Sequence, residues 1–569
     1  MKALNVYDYL VVVVYMVMMV GIGLYFFKYI KDSGDYFRAG NKLSWWIAAL
    51  SAFMSSFSAY MFTGGAGVIY QEGLTGTVIL GFTGLAISSG YFLFAGLWRR
   101  SRVTTILEFL DERFNLTSHQ VASWTYVPFN ILYCAVALYS LAIFIASSLG
   151  LDIFSVIWIC GVVIMAYTLF GGVWAVSVTD TVQFLVLLPV CLLLIPLSLA
   201  QIGSLSDFFS SMPEGYFSVP SQQHPWYWLA ALFLLLVHGQ NTNPIAQRYF
   251  SVRDEAEARK VSLMCSLLFI AGIMFWTIPP MVVRYLYPDL SLLVNLPNPH
   301  EGAYVVIALC VLPHGLIGLM IAAIFAAAMS AIDSQYNVIS GVITKDIIQK
   351  LFKGDLDERK LLRIGQLATL AIGLIVISLS LEMAKSGQGS FKTMMKLSSL
   401  TGTPLATPLL LGFLFRKAPG WSYAFSFACS GFVALLCAFF PPVTGYLAVL
   451  GSAMEFTLTT FAIFFAGLGA FFISPLVFKS SPAEKQRIGD FFAKLGTPVD
   501  ADSEIAESEI DKAPMARLVG LMSIILGAVI ALFALIPATL SERLINLSLG
   551  LALGALGWLI FSYGRKGKP

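Results

Sequence analysis

Charge is scarce in this sequence. Of 569 residues, only 12% are Asp, Glu, Lys or Arg, about half the share of an average soluble domain. There are five histidines and seven cysteines. Cys134, Cys160, Cys191, Cys265, Cys310, Cys429 and Cys437 all lie in or beside apolar stretches, and none forms a CxxC pair. They read as buried free thiols rather than disulfides or metal ligands. No nucleophile–base cluster or metal-ligand spacing is present, which argues against an enzyme. The net charge of +3 is too small to suggest a polyanionic partner such as nucleic acid. What the chain does have is apolar residues. They make up 58% of it, with a mean hydropathy of +0.80. A soluble protein cannot hide that much apolar surface, so the chain reads as an integral membrane protein with many spans.

A spanning helix needs about 20 mostly apolar residues. Fifteen segments qualify: 7–27, 46–69, 76–99, 122–146, 152–173, 178–202, 224–243, 260–287, 313–344, 361–384, 389–415, 421–441, 447–478, 514–537 and 543–563. The first is too long for the apolar region of a cleavable signal peptide. With the N-terminus outside, 29 of the 35 basic residues fall on the cytoplasmic side. The outer side keeps only Lys2, Arg284, Lys385, Lys392, Lys396 and Arg543. That is the positive-inside bias, and it puts the C-terminus in the cytoplasm. The compact loops suggest a prokaryotic inner membrane. Residues 479–513 carry eight acids and five bases and are expected to form a mobile cytoplasmic loop.

Polar groups inside lipid are costly, so their positions inform. The second segment contains Ser51, Ser55, Ser56, Ser58 and Tyr60, then Thr63-Gly64-Gly65-Ala66-Gly67. The seventh ends in His238-Gly239-Gln240-Asn241-Thr242-Asn243-Pro244. Glycine weakens a helix, and Pro244 removes a backbone donor and clashes with the preceding turn. Unwound backbone at membrane depth is tolerated where it lines a cavity. Segments 2–6 and 7–11 are two sets of five, and each opens with an interrupted helix. Five is odd, so the second set enters from the opposite side, as in an inverted-repeat transporter. The expected division is 1–45 (extra helix and loop), 46–202 (first repeat), 203–417 (second repeat) and 418–569 (C-terminal helices).

The ninth segment carries Ser330, Asp333, Ser334 and Asn337 at i, i+3, i+4 and i+7, on one helix face. Hydroxyl, carboxylate and amide oxygens on one stripe are hard ligands that suit Na⁺. The alternative is a helix end with Asp333 near cytoplasmic water. Asp180, at the start of the sixth segment, is by itself an ordinary N-cap or first-turn residue. No basic side chain stands out as a partner for these acids.

With these residues on the page, the chain resembles the sodium:solute symporter family of sodium–glucose, proline and sialic acid cotransporters. The marks are Asp35-Tyr36-Phe37-Arg38-Ala39-Gly40, Trp46, Gly171-Gly172 with Thr179-Asp180, Gln247-Arg248-Tyr249, Ala322 to Asn337 with Lys345-Asp346-Ile347, and Thr407 to Lys417. The resemblance implies an all-α LeuT-type core, sodium coupling and alternating access. It implies a sodium site of carbonyls at Met54, Phe57 and Ala327 with the Ser330 hydroxyl. The family's usual second hydroxyl is Ala331 here, and Asp333 stands where some members have a serine. A second ion site would use Asp333, Ser334 and Asp180. The inferred solute lining is Ser58, Tyr60, Asn130, Tyr133, His238, Gln240, Asn241, Asn243 and Ser398. It lacks the charged groups of the sugar and sialic acid carriers. A small neutral or zwitterionic solute is expected, with a small carboxylate possible if His238 is charged. Proton coupling through Asp333 and a transport-defective sensor are the rival readings.

Overall fold

A computed structural model describes residues 2, 4–27, 44–103, 105–168, 173–242, 245–292, 296–350, 358–500, 513–535 and 539–566. The motif 35–40, Gly171-Gly172, Asn243 with Pro244, and residues 501–512 lie outside the described residues, as does the side chain of Lys345.

Among the described residues the regular structure is helical, with no strand. Helix α1 is Val6–Phe27. A broken pair follows, α2 (Trp45–Ser56) and α3 (Gly64–Glu72), joined by a short 3₁₀ turn, Ala59–Phe62. Then come α4 (Leu74–Arg100), α5 (Ile106–Arg113), α6 (Leu116–Leu149), α7 (Ile153–Thr168) and α8 (Val173–Leu199). After a short helix, α9 (Leu205–Ser211), the second interrupted pair is α10 (Trp226–Gln240) and α11 (Ile245–Phe250). It leads into α12 (Glu255–Leu286), α13 (Ala303–Val311), α14 (Leu316–Gln349), α15 (Glu358–Ser386) and α16 (Ser390–Leu414). The C-terminal part holds α17 (Ser422–Phe439), α18 (Pro441–Val449), α19 (Ser452–Val477), α20 (Pro482–Gly496), α21 (Ala513–Leu532) and α22 (Leu540–Lys566).

Each of the fifteen predicted segments meets a helix. Ten of the described helices are long and apolar enough to cross a membrane, or eleven with the bent pair α2–α3 counted as one. Stretches such as Val6–Met18, Ile153–Ala166 and Val519–Leu535 are apolar but shorter.

The first break is made by Phe57 and Ser58, both with extended backbone, and the chain turns through 57° there. Beyond it the glycines permit close approach. A Cβ on Gly64 would lie 2.5 Å from Ser390 Oγ and 2.9 Å from Phe391 N, and one on Gly67 would lie 2.9 Å from the His300 ring. At the second break, Asn241 Nδ2 donates to Val237 O of its own helix (2.8 Å) and to Ala86 O and Ser89 Oγ of α4 (3.2 and 2.8 Å). Trp98 Nε1 donates to Asn241 O at 2.9 Å. These bonds satisfy backbone that the helix interruption leaves open.

Helix α14 is buried along its length, and α1 caps its start. Asp8, fully buried, accepts from Gly315 N at 2.6 Å and Gly318 N at 3.3 Å. A carboxylate at a helix N-terminus satisfies free donors and meets the positive end of the helix dipole.

One expectation fails. Residues 479–513 were expected to be a mobile loop, but 482–496 form the helix α20, docked at the Arg99–Arg113 end of the molecule. Ser481 caps it and Pro482 opens it. Its apolar positions Ile488, Phe491 and Leu495 are buried, with Phe491 5.7 Å from the ring of Phe109 in α5. Arg102, a non-glycine residue at φ 57, donates to Lys494 O and Pro498 O at the other end of α20. The charges on the exposed face had masked an amphipathic stripe.

Candidate ion and solute site

The two interrupted helices, α8 and α14 converge on one buried carboxylate. Asp180 sits within α8, seven residues after its start, not in its first turn. It has no exposed surface. Ser51 Oγ of α2 donates to its Oδ2 at 2.7 Å, and Ser330 Oγ of α14 donates to its Oδ1. A hydroxyl that gives its proton to a carboxylate turns only lone pairs toward anything else, which suits a cation. Against expectation, a basic partner exists. Arg248 Nη2 of α11 lies 3.8 Å from Asp180 Oδ2 and donates to Ser55 Oγ of α2 at 3.1 Å. Its position in the Gln247-Arg248-Tyr249 mark was visible in the sequence. Its meeting with residues 55 and 180 was not, because no chain spacing encodes it.

Asp333 is fully buried in the interior of α14, so the reading of a solvated helix end is overturned. Asn337 Nδ2 donates to its Oδ1 at 3.3 Å, one helical turn away. The Thr168 hydroxyl of α7 donates to Ile164 O of its own helix at 2.9 Å. Asp333 Oδ2 has no hydrogen-bond partner among the described residues. A buried carboxylate oxygen without a partner is costly, and a cation or a proton would relieve it. Ser334 is only partly buried. Phe57 and Met54 stand at the end of α2, where Phe57 N donates to Met54 O at 3.2 Å. Helix α2 packs on α14, which carries Ala327.

Beside the breaks lies a cavity of about 210 Å³. Ser58, Tyr60, Asn130, Tyr133, Gln240 and Ser398 line it, with Met61, Tyr126, Phe129, Thr242, Gln335, Met394 and Met395. No Asp, Glu, Lys, Arg or His is among its lining residues. It extends past Ile106, Leu107 and Leu110 toward the end where α20 docks. Two expected lining residues are elsewhere. His238 lies 2.7 Å through Nδ1 from Leu234 O and its ring meets Phe464. Asn241 is fully buried in the clamp on α4. Both belong to the polar run that signalled the break, and they serve its backbone.

A second, larger cavity of about 760 Å³ lies on the far side, lined by Glu72, His224, Glu301, Phe391 and Lys392 among others. Tyr60 and Phe391 stack between the two, with ring centroids 6.3 Å apart and planes 8° apart. Met395 touches both spaces. Glu301 holds α16 here by accepting from Ser390 N at 2.7 Å and Ser390 Oγ at 3.0 Å.

Comparisons with known proteins agree with this fold. The family model described as "Sodium:solute symporter family" matches residues 36–420. The sodium/sialic acid symporter NanT of Aliivibrio fischeri is 26% identical over 425 residues, covering 72% of this chain and 83% of that protein. SiaT of Proteus mirabilis, also a sodium/sialic acid symporter, is 26% identical over 465 residues, covering 78% and 93%. The mouse sodium/glucose cotransporter 1 is 27% identical over 501 residues, covering 79% and 74%. Among solved structures, a substrate-bound, outward-open Na⁺-coupled sialic acid symporter superposes with a TM-score of 0.71 at 24% identity, covering 84% of this chain and 99% of that one. Mhp1, a nucleobase-cation-symport-1 family transporter, superposes at 0.52 with 12% identity, covering 81% and 99%. These relatives are transporters rather than enzymes, and this multi-helix membrane chain belongs to the sodium:solute symporter family.

Proposed function

We propose that the protein carries a small organic solute across the membrane together with Na⁺, by alternating access of a 5+5 inverted-repeat core. One observation supports this most. Two interrupted helices meet a buried oxygen cluster (Asp180, Ser330, Asp333) beside a cavity with an uncharged lining. One expected sodium site has the Met54, Phe57 and Ala327 carbonyls with the Ser330 hydroxyl, and a second uses Asp333, Ser334 and Asp180, where sodium would neutralise the partnerless Asp333 oxygen. The Tyr60–Phe391 stack forms the outer barrier, with the larger cavity as the outer vestibule and the Arg99–Arg113 end facing the cytoplasm.

The uncharged lining favours a neutral or zwitterionic solute. A bulky carboxylate would enter without a basic partner, at a cost in desolvation. The test is sodium-gradient uptake into proteoliposomes, guided by a thermal-shift screen of small metabolites in Na⁺ and in choline. Solutes that stabilise only in Na⁺, and whose stabilisation Asn130→Ala and Gln240→Ala weaken, support the reading. Stabilisation independent of Na⁺ counts against it. Asp333 also supports a second reading, coupling to protons, and a pH gradient that drives uptake without Na⁺ would establish that instead.

A further inference from the structure

Arg248 has no assigned part in this transport cycle, yet it occupies the point where the ion chemistry is built. Its side chain is only 6% exposed. It sits on α11, the far half of the second interrupted helix. Its nearest polar partners belong to the other elements of the ion site: Ser55 at the end of α2, and Asp180 on α8. Ser330 of α14 meets the same carboxylate from the other side. Nε finds no partner among the described residues, so the guanidinium is not bonded to capacity in this position.

The charge balance gives this arrangement a consequence. Asp180 and Arg248 together are neutral, so Asp180 does not stand as a bare charge when no ion is bound. A sodium ion arriving beside Ser330 adds a second cation to a site of low dielectric. Both cations would then share Asp180, the carboxylate bonded to Ser330, while Asp333 lies three residues further along α14, and like charges repel strongly at such distances. We propose that Arg248 is a tethered cation that holds Asp180 in the sodium-free state, and that sodium binds in competition with it. Released from Asp180, Arg248 shifts α11, and α11 continues from the break that carries Gln240 and Thr242 of the solute cavity. The arrival of the ion is thereby felt at the solute site through one side chain. Arg248 is a positioning residue, since it touches neither the ion nor the solute in this role. The inference rests on the sodium-coupled reading above.

The test is sodium titration of the full-length protein in detergent, followed by thermal unfolding, with choline replacing Na⁺ as the control. Arg248→Gln removes the competitor. Its sodium half-saturation should fall by about tenfold, the scale of one lost charge contact. It should also be less stable than wild type in choline and regain much of the difference in saturating Na⁺. Arg248→Lys keeps the cation and should stay within about threefold of wild type. Should Arg248→Gln not fold, Ser55→Ala loosens the anchor while leaving the charge in place, and should lower half-saturation about twofold to threefold. An unchanged or raised half-saturation in Arg248→Gln, or in Ser55→Ala where that variant stands in, overturns the inference while leaving sodium coupling intact. Absence of any sodium stabilisation in wild type and variants alike overturns the sodium-coupled reading itself, and the inference with it.

Discussion

Glu301 shows how a single carboxylate sets a pH response. It lies outside the spans, between α12 and α13, and burial raises it from 4.5 to about 7 despite its bonds to Ser390 and Phe391. A raised carboxyl contributes its full stability below its unfolded value and loses it as pH rises through the folded one. The protein should therefore lose stability between about pH 4.5 and 7 on this account, by on the order of 3 kcal/mol. Glu301→Gln should flatten that loss, which unfolding midpoints at pH 5 and pH 8 would reveal. An equal pH dependence in both proteins would remove Glu301 from the account. Asp333→Asn distinguishes its two roles by transport. If Na⁺ sits there, the variant loses sodium cooperativity at every pH. If a proton sits there, it loses the pH response of the wild type. At this scale much was legible. Asn130 and Ser398 rest on the family resemblance, whereas Ser58 and Tyr60 stand out because polar groups at membrane depth are costly. His238 and Asn241 stand out for the same reason yet serve the backbone, since polarity marks a break without saying which side chains face the cavity.

At the scale of elements, the two interruptions were readable because Gly, Ser and Pro have local backbone effects that need no tertiary context. Helix α20 was not, although its signals were present. Ser481-Pro482 followed by Glu484 is a capping sequence, and Ile488, Phe491 and Leu495 share a face. The acidic stretch after it dominated the composition of the segment. The helix is strongly held. Lys494 pairs with Glu112 at 2.8 Å, Glu484 accepts from Gly420 N, and Val499 N donates to Glu255 at 3.2 Å. Phe491→Ala should cost about 3 kcal/mol, the usual scale for a buried aromatic. It should also open the segment 479–500 to protease in membrane vesicles. Wild-type resistance to cleavage would show that its apolar face does not secure it.

For the molecule as a whole, the apolar segments were legible as helices, because lipid leaves the backbone no other partner than itself. Their convergence on Asp180 was not, since contacts such as Ser51 to Asp180 span 129 residues. The same long-range packing fixes the conformation. The Tyr60–Phe391 stack forms where Gly64 lets α3 lie against the start of α16. Gly64→Ala puts a methyl group against Phe391 N and should wedge that contact apart. A cysteine at Ser58 should then react several-fold faster with an impermeant outer reagent, for a shift of about 1 kcal/mol between states. An unchanged rate would show that this contact does not hold the barrier.

The cap that Asp8 places on α14 also has a history in time. Its bond to Gly315 joins residues 307 apart. At about 5–20 residues per second of synthesis, α1 waits roughly 15–60 s for the helix it is to cap. Throughout that interval its carboxylate has only the neighbouring Asn5 N–H as a native partner and is otherwise left to water. The first helix made is therefore among the last to lock, and α14 is secured at its N-terminal end only when the oldest part of the chain returns to it.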